Sequence, residues 1–189
     1  MPRLENKVVL LSGGASGIGA ETARQVIREG GKAVLADRDE DKGRALAAEL
    51  GTASLFVPLD VTREADWQRA VATTVEAFGG LHGLVNAAGV GVRNSIEDCT
   101  LADYRRVNDI NALGTFLGCK AAVAAMKATG GGSIVNISSV LGLRGASYAM
   151  AYCASKGAVR QLTKSVALHC AQMKYGIRCN SVHPGYIDT

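Results

Sequence analysis

The chain has 189 residues, 48% of them hydrophobic and 20% charged, with only three prolines; that excludes a disordered or linker-dominated chain and suits one compact domain. The 21 Lys and Arg against 17 Asp and Glu leave a formal charge of +4, but the basic residues are scattered from Arg3 to Arg178 without a block, which argues against a nucleic-acid partner. Five cysteines with no CxxC pair, and no apolar stretch near the ~18 residues of a membrane span or the length of a signal core, lead to the expectation of a cytoplasmic protein without disulfides, metal or membrane contact.

In chain order, short apolar runs alternate with helical patterns. Strands are expected at 7–11, 33–36, 55–57, 83–85, 133–137 and 177–182. Helices are expected at 17–29, 39–50, 64–78, 101–127 and 148–174, the first ended by Gly30-Gly31 and the second by Gly51. Repeated strand–helix–strand units imply a doubly wound α/β fold, a mainly parallel sheet with helices on both faces. Such folds bind ligands beyond the carboxyl ends of their strands. The residues that follow each strand are therefore the ones to read for chemistry.

After the first strand comes Ser12-Gly13-Gly14-Ala15-Ser16-Gly17-Ile18-Gly19, which runs straight into a helix. Glycines allow a pyrophosphate to approach the backbone, and the helix N-terminus supplies free N–H groups and partial positive charge. Asp37 follows the second strand, 18 residues beyond Gly19, close to the ~20 at which an acidic side chain meets the adenosine ribose. A carboxylate there accepts from the 2′-hydroxyl and repels a 2′-phosphate, so NAD is favoured over NADP, although Arg38 next door could pair with that phosphate.

The spacing of Gly13, Gly17 and Gly19 resembles the TGxxxGxG pattern of the short-chain dehydrogenase/reductase family, with Ser12 in place of threonine. Further resemblances follow in order. Asp60-Val61 matches the family's adenine-contacting segment. Asn86-Ala87-Ala88-Gly89 matches NNAG with Ala87 for its second asparagine, so that Asn86, Ala88 and Gly89 are expected beside the cofactor. Pro184-Gly185, with Ile187 and Thr189, is similar to the segment beside the nicotinamide.

Tyr152 and Lys156 stand at i and i+4, hence on one helical face, where the ammonium favours a phenolate and the tyrosine becomes a general acid/base. Ser139, thirteen positions before Tyr152 and just off the fifth strand, can hold a substrate oxygen. The resemblance implies that Asn111, inside the long preceding helix, orders a water next to the lysine in a proton relay, and that Lys156 also binds the nicotinamide ribose. Interconversion of a secondary alcohol and a ketone with NAD(H) is expected. The runs 130–136 and 177–184 look most like bacterial hydroxysteroid and cyclic-alcohol dehydrogenases. Val140, Leu141, Leu143, Tyr148 and Met150 would suit a hydrophobic ring, or equally form a core or lid. The rivals are an NADPH-dependent ketoacyl or carbonyl reductase, disfavoured by Asp37, and a non-catalytic NAD-binding regulator, disfavoured by the intact Ser139/Tyr152/Lys156 set.

Both long helices carry more small and apolar residues than one buried face needs, which predicts a homodimer or homotetramer formed through them. The single domain 1–189 breaks off after the sixth strand. In the resembling family a substrate-covering loop, a helix and a last strand follow, so the chain is expected to lack that part of the specificity apparatus.

Overall fold

The computed structural model describes residues 2–187. At the centre of its sheet lies β1 (Val8–Ser12), whose five residues are all buried. A strand can be apolar at every position only where both faces are covered. Leu10 faces one core with Val34, Leu84, Ile134 and Trp67. Val9 and Leu11 face the other with Leu35, Ala20, Ala23, Val26 and Leu46. The period-2 alternation is thus hidden inside a continuous apolar run.

The remaining strands are β2 (Lys32–Asp37), β3 (Ser54–Pro58), β4 (Gly83–Asn86), β5 (Gly132–Ile137) and β6 (Ile177–Val182). Their order is β3-β2-β1-β4-β5-β6 and every pairing is parallel. The chain winds outward from β1 to one edge, then from β4 to the other, so a crevice opens where β1 and β4 part. On one face lie α1 (Gly17–Arg28) and α2 (Glu40–Leu50), which contribute Ala23 and Leu46 to the core. On the other lie α3 (Glu64–Phe78), α5 (Gly114–Met126) and α6 (Met150–Gln172), which contribute Trp67, Leu117 and Cys170.

The helix expected over 101–127 is not one regular helix. It consists of α4 (Leu101–Asn108), a π-helical turn Asp109–Leu113, α5, and a 3₁₀ turn Lys127–Thr129. Asn111 lies in the π turn and is fully buried. The helix expected from 148 starts at Met150, because Asn94 N–H donates to the Tyr148 carbonyl at 3.0 Å and Asn94 bridges Ala149, which holds that segment extended. It ends at Gln172, and Lys174 at φ 56° turns the chain toward Gly176 and β6. Three of the five cysteines, Cys119, Cys170 and Cys179, are buried, and all five are free thiols. No helix among the described residues is long and apolar enough to cross a membrane.

Candidate active site

Two adjoining concavities lie at the carboxyl ends of the strands. The larger, about 1090 Å³, is bounded by the glycine loop (Gly13, Ser16, Gly17, Ile18, Gly19), by Asp37 and Arg38 after β2, by Asp60 and Val61 after β3, and by Ala88 and Gly89 after β4. Most of the residues read as a dinucleotide cradle are therefore brought together. A Cβ on Gly13, at φ +67°, would stand 2.7 Å from Ala88 N, so the loop lies against the β4 turn as only glycine permits. Ser12 backs that turn, its hydroxyl accepting from Ala88 N–H at 3.4 Å.

The N-terminus of α1 suits a phosphate. Its N-cap Ser16 makes no side-chain cap bond and its first turn carries no acid, whereas α2 is capped by Asp39 and α4 by Thr100. Free N–H groups and the helix dipole thus face the groove. Asp37 is fixed at the groove wall: Oδ2 accepts from Ala15 N–H at 3.0 Å and Oδ1 from Asp39 N–H at 3.1 Å. Each oxygen keeps a further lone pair for a ligand hydroxyl. Asp60 is held by bonds from Thr62 N–H at 2.9 Å and Thr62 Oγ1 at 2.7 Å.

Asn86 is placed differently from the rest. Its buried side chain donates to Asn136 Oδ1 at 2.8 Å across β4 and β5, and Asn136 in turn donates to Thr163 Oγ1 of α6 at 2.9 Å. It braces the sheet beneath the cradle. Asn136 was not singled out from sequence; a polar residue inside the apolar strand 133–137 was the signal that could have found it.

The smaller cavity, about 430 Å³, contains Ser139, Tyr152 and Gly185 with Val140, Leu141 and Tyr148. Ser139 caps the 3₁₀ turn Val140–Gly142, and its Oγ accepts from Leu141 N–H at 3.1 Å. That leaves the hydroxyl proton free to donate into the cavity. Pro184 anchors this turn through its carbonyl, which accepts from Val140 N–H at 3.0 Å. His183, also missed from sequence, bonds the Ser139 carbonyl through Nδ1 at 3.0 Å and Ser181 Oγ through Nε2 at 2.9 Å. Ile187 is exposed, and Thr189 lies outside the described residues.

Behind Tyr152, one helical turn on, Lys156 is 4% exposed, with its Nζ 5.6 Å from the Tyr152 ring centroid and donating to the Ile137 carbonyl at 2.7 Å. Burial pulls its pKa down from the ordinary lysine value to about 8. Asn111 acts as a clamp: its amide oxygen accepts from Val90 N–H at 2.8 Å, and its amide nitrogen donates to Val90 O and Ser155 Oγ, both at 2.9 Å. The loop after β4 is thereby tied to α6 beside Lys156. A Cβ on Gly89 would stand 3.3 Å from both Asn111 Oδ1 and Lys156 Nζ.

A glycine loop at the switch point of a parallel sheet thus lines one concavity, and a serine with a lysine-backed tyrosine lines the other. The short chain dehydrogenase family profile matches residues 7–189, and the chain belongs to that family. It is 50% identical over 187 residues to a 3-alpha-(or 20-beta)-hydroxysteroid dehydrogenase of Mycobacterium tuberculosis, covering 99% of this chain and 71% of that protein. It is 48% identical over 196 residues to a trans-4-hydroxycyclohexanecarboxylate dehydrogenase of Sinomonas cyclohexanicum, covering 99% and 74%. An NADP-dependent (R)-specific alcohol dehydrogenase of Lentilactobacillus kefiri is 43% identical over 190 residues, covering 99% and 75%.

Proposed function

We propose that the protein interconverts an alicyclic secondary alcohol and its ketone, with NAD(H) held in the larger groove. Bound there, the nicotinamide supplies the hydride acceptor or donor. Tyr152 takes the carbinol proton in oxidation and returns it in reduction, and the buried ammonium of Lys156 favours its phenolate form. Ser139 holds the reacting oxygen with its hydroxyl, and Lys156 binds the nicotinamide ribose. The proton leaves along the path flanked by Lys156 and Asn111, whose clamp on Val90 and Ser155 keeps that path open. Pro184, Gly185 and Ile187 complete the cofactor's surroundings, and Asn86 braces the sheet beneath it.

The observation that carries this reading is the presence of Ser139 and Tyr152 in one cavity, with Lys156 directly behind and the phosphate-ready groove alongside. NAD is favoured because the fixed carboxylate of Asp37 repels a 2′-phosphate; Arg38 on the same wall and the NADP-dependent relative favour NADP. The hydroxysteroid and hydroxycyclohexanecarboxylate relatives are named for alcohols of alicyclic compounds, and the apolar Val140 and Leu141 suit such a ring. Unpaired thiols suit a reducing, cytoplasmic setting, and the protein assembles as a dimer or tetramer through α5 and α6.

The test is absorbance of the reduced cofactor across sterols, cyclic alcohols and sugars, run in parallel with NAD and NADP. Tyr152→Phe should lower kcat by at least about 100-fold while NADH binding, followed by fluorescence, changes little. Near-normal turnover in that variant removes Tyr152 from the chemistry.

A further inference from the structure

The smaller cavity combines hydroxyl, apolar and cationic side chains in one lining. Its hydroxyls include those of Ser139, which is buried, and Tyr152, which is half-buried. Val140 and Leu141 supply an apolar wall. Two exposed arginines also line it, Arg93 from the loop after β4 and Arg144 from the turn after Ser139. Among the described residues no Asp or Glu lines this cavity, and neither arginine has an ion-pair partner.

These arginines belong to anchored segments. The Arg93 guanidinium stacks over the Tyr148 ring, 5.7 Å from its centroid. The neighbouring Asn94 bonds the Tyr148 carbonyl at 3.0 Å and bridges Ala149. Tyr148 is held from its far side by Tyr186, the hydroxyls being 3.4 Å apart. Arg144 is fixed by its N–H to the Val140 carbonyl at 3.2 Å, one residue from Ser139. Both guanidinium charges reach the Tyr148 hydroxyl, where they oppose the upward pull of Tyr186 on its pKa. A guanidinium with no carboxylate partner keeps its N–H donors available to a planar anion.

We propose that Arg93 and Arg144 form an anion subsite, so that the substrate is an alicyclic secondary alcohol carrying a carboxylate at the end of the ring remote from its reacting hydroxyl. The ring lies along Val140 and Leu141, the hydroxyl meets Ser139 and Tyr152, and the carboxylate meets the two guanidinium groups. The subsite rests on the cavity being the alcohol site proposed above. What it adds is a requirement for charge that a neutral steroid does not satisfy.

The test compares a hydroxycyclohexanecarboxylate with its methyl ester, in wild type, in Arg93→Met/Arg144→Met and in Arg93→Lys/Arg144→Lys. In wild type the acid should exceed the ester in kcat/KM by at least about tenfold, mainly through KM. The preference should fall toward unity in the double Met variant and survive in part in the double Lys variant. Taking the ratio of the two substrates cancels any general loss of activity. An ester turned over as well as the acid by wild type, or a preference that persists in the double Met variant, overturns the proposal.

Calorimetric binding of cyclohexanecarboxylate to the protein with NADH separates the two levels of inference. Binding that is lost in the double Met variant, without turnover of any alcohol, upholds the subsite and sinks the reaction. Turnover of neutral cyclic alcohols without carboxylate binding upholds the reaction and sinks the subsite.

Discussion

Lys156 is the residue whose environment conflicts most with its charge. It is buried, its one hydrogen bond to protein is to a neutral carbonyl, and burial lowers its pKa to about 8. At pH 7 the ammonium is still protonated, and holding it so costs the empty protein on the order of 3 kcal/mol relative to an exposed lysine. A group whose pKa is lower in the folded than in the unfolded state binds fewer protons when folded. That penalty is therefore complete below pH 8 and relieved as pH rises from about 8 toward the ordinary lysine value. Lys156→Met removes the penalty and the Ile137 bond, worth about 1 kcal/mol. The variant should be inactive yet more stable than wild type by about 2 kcal/mol at pH 7, with the gap narrowing as pH rises to 10. Denaturant melts of both proteins at several pH values check this; a Met variant less stable at pH 7 refutes it. A stability cost concentrated at a lysine beside Tyr152 is what a site selected for chemistry rather than for folding would carry.

At the scale of elements, α5 owes its place to small residues. Gly114 and Gly118, one turn apart, bring its backbone against the turn after β3, α3 and β4: a Cβ on Gly114 would stand 2.9 Å from Val61 Cγ2, and one on Gly118 would run into Asn86 Oδ1 of β4 and stand 2.7 Å from the buried Trp67 ring of α3. Because Val61 lines the cofactor groove, this contact links helix packing to the site. Gly118→Ala adds a methyl group to a region without room, and overpacking of that kind costs about 1–3 kcal/mol. A melting temperature lower by roughly 3–10 °C is expected by calorimetry, and a shift under about one degree would show that Trp67 yields freely. The order of elements along the chain and the meeting of Ser139, Tyr152 and Lys156 were legible in the sequence, because buried strands are apolar runs and the chemistry follows their ends; which two strands part to open the crevice was not. The π turn was not legible. Residues 101–127 satisfy a helical pattern throughout, and the break comes from tertiary bonds of Asn111 to Val90 and Ser155, which local spacing does not encode. The bracing role of Asn86 was hidden for the same reason, since its partner Asn136 is fifty residues away.

Over the whole molecule, large apolar side chains stand exposed on the two helices α5 and α6 among their polar neighbours. Leu113, at the end of the π turn, and Phe116 on α5 are 40% and 44% exposed, and Leu168 on α6 is 65% exposed. Exposed large apolar groups recurring on adjacent helices are what an interface between copies would cover. The opposite side of α6 holds Lys156, and Tyr152 lies in its first turn. A partner packed along α6 would therefore also restrain the helix that carries Tyr152 and Lys156. Light scattering after size exclusion should give two or four times the chain mass at micromolar concentration, and Phe116→Asp/Leu168→Asp should give one. If the interface restrains α6, the monomer should also lose kcat by several-fold with its cofactor affinity little altered, since the glycine loop and Asp37 lie on the far side of the crevice. A wild-type protein that elutes as a monomer removes the assembly. A monomeric double variant with full kcat keeps the assembly but severs it from catalysis.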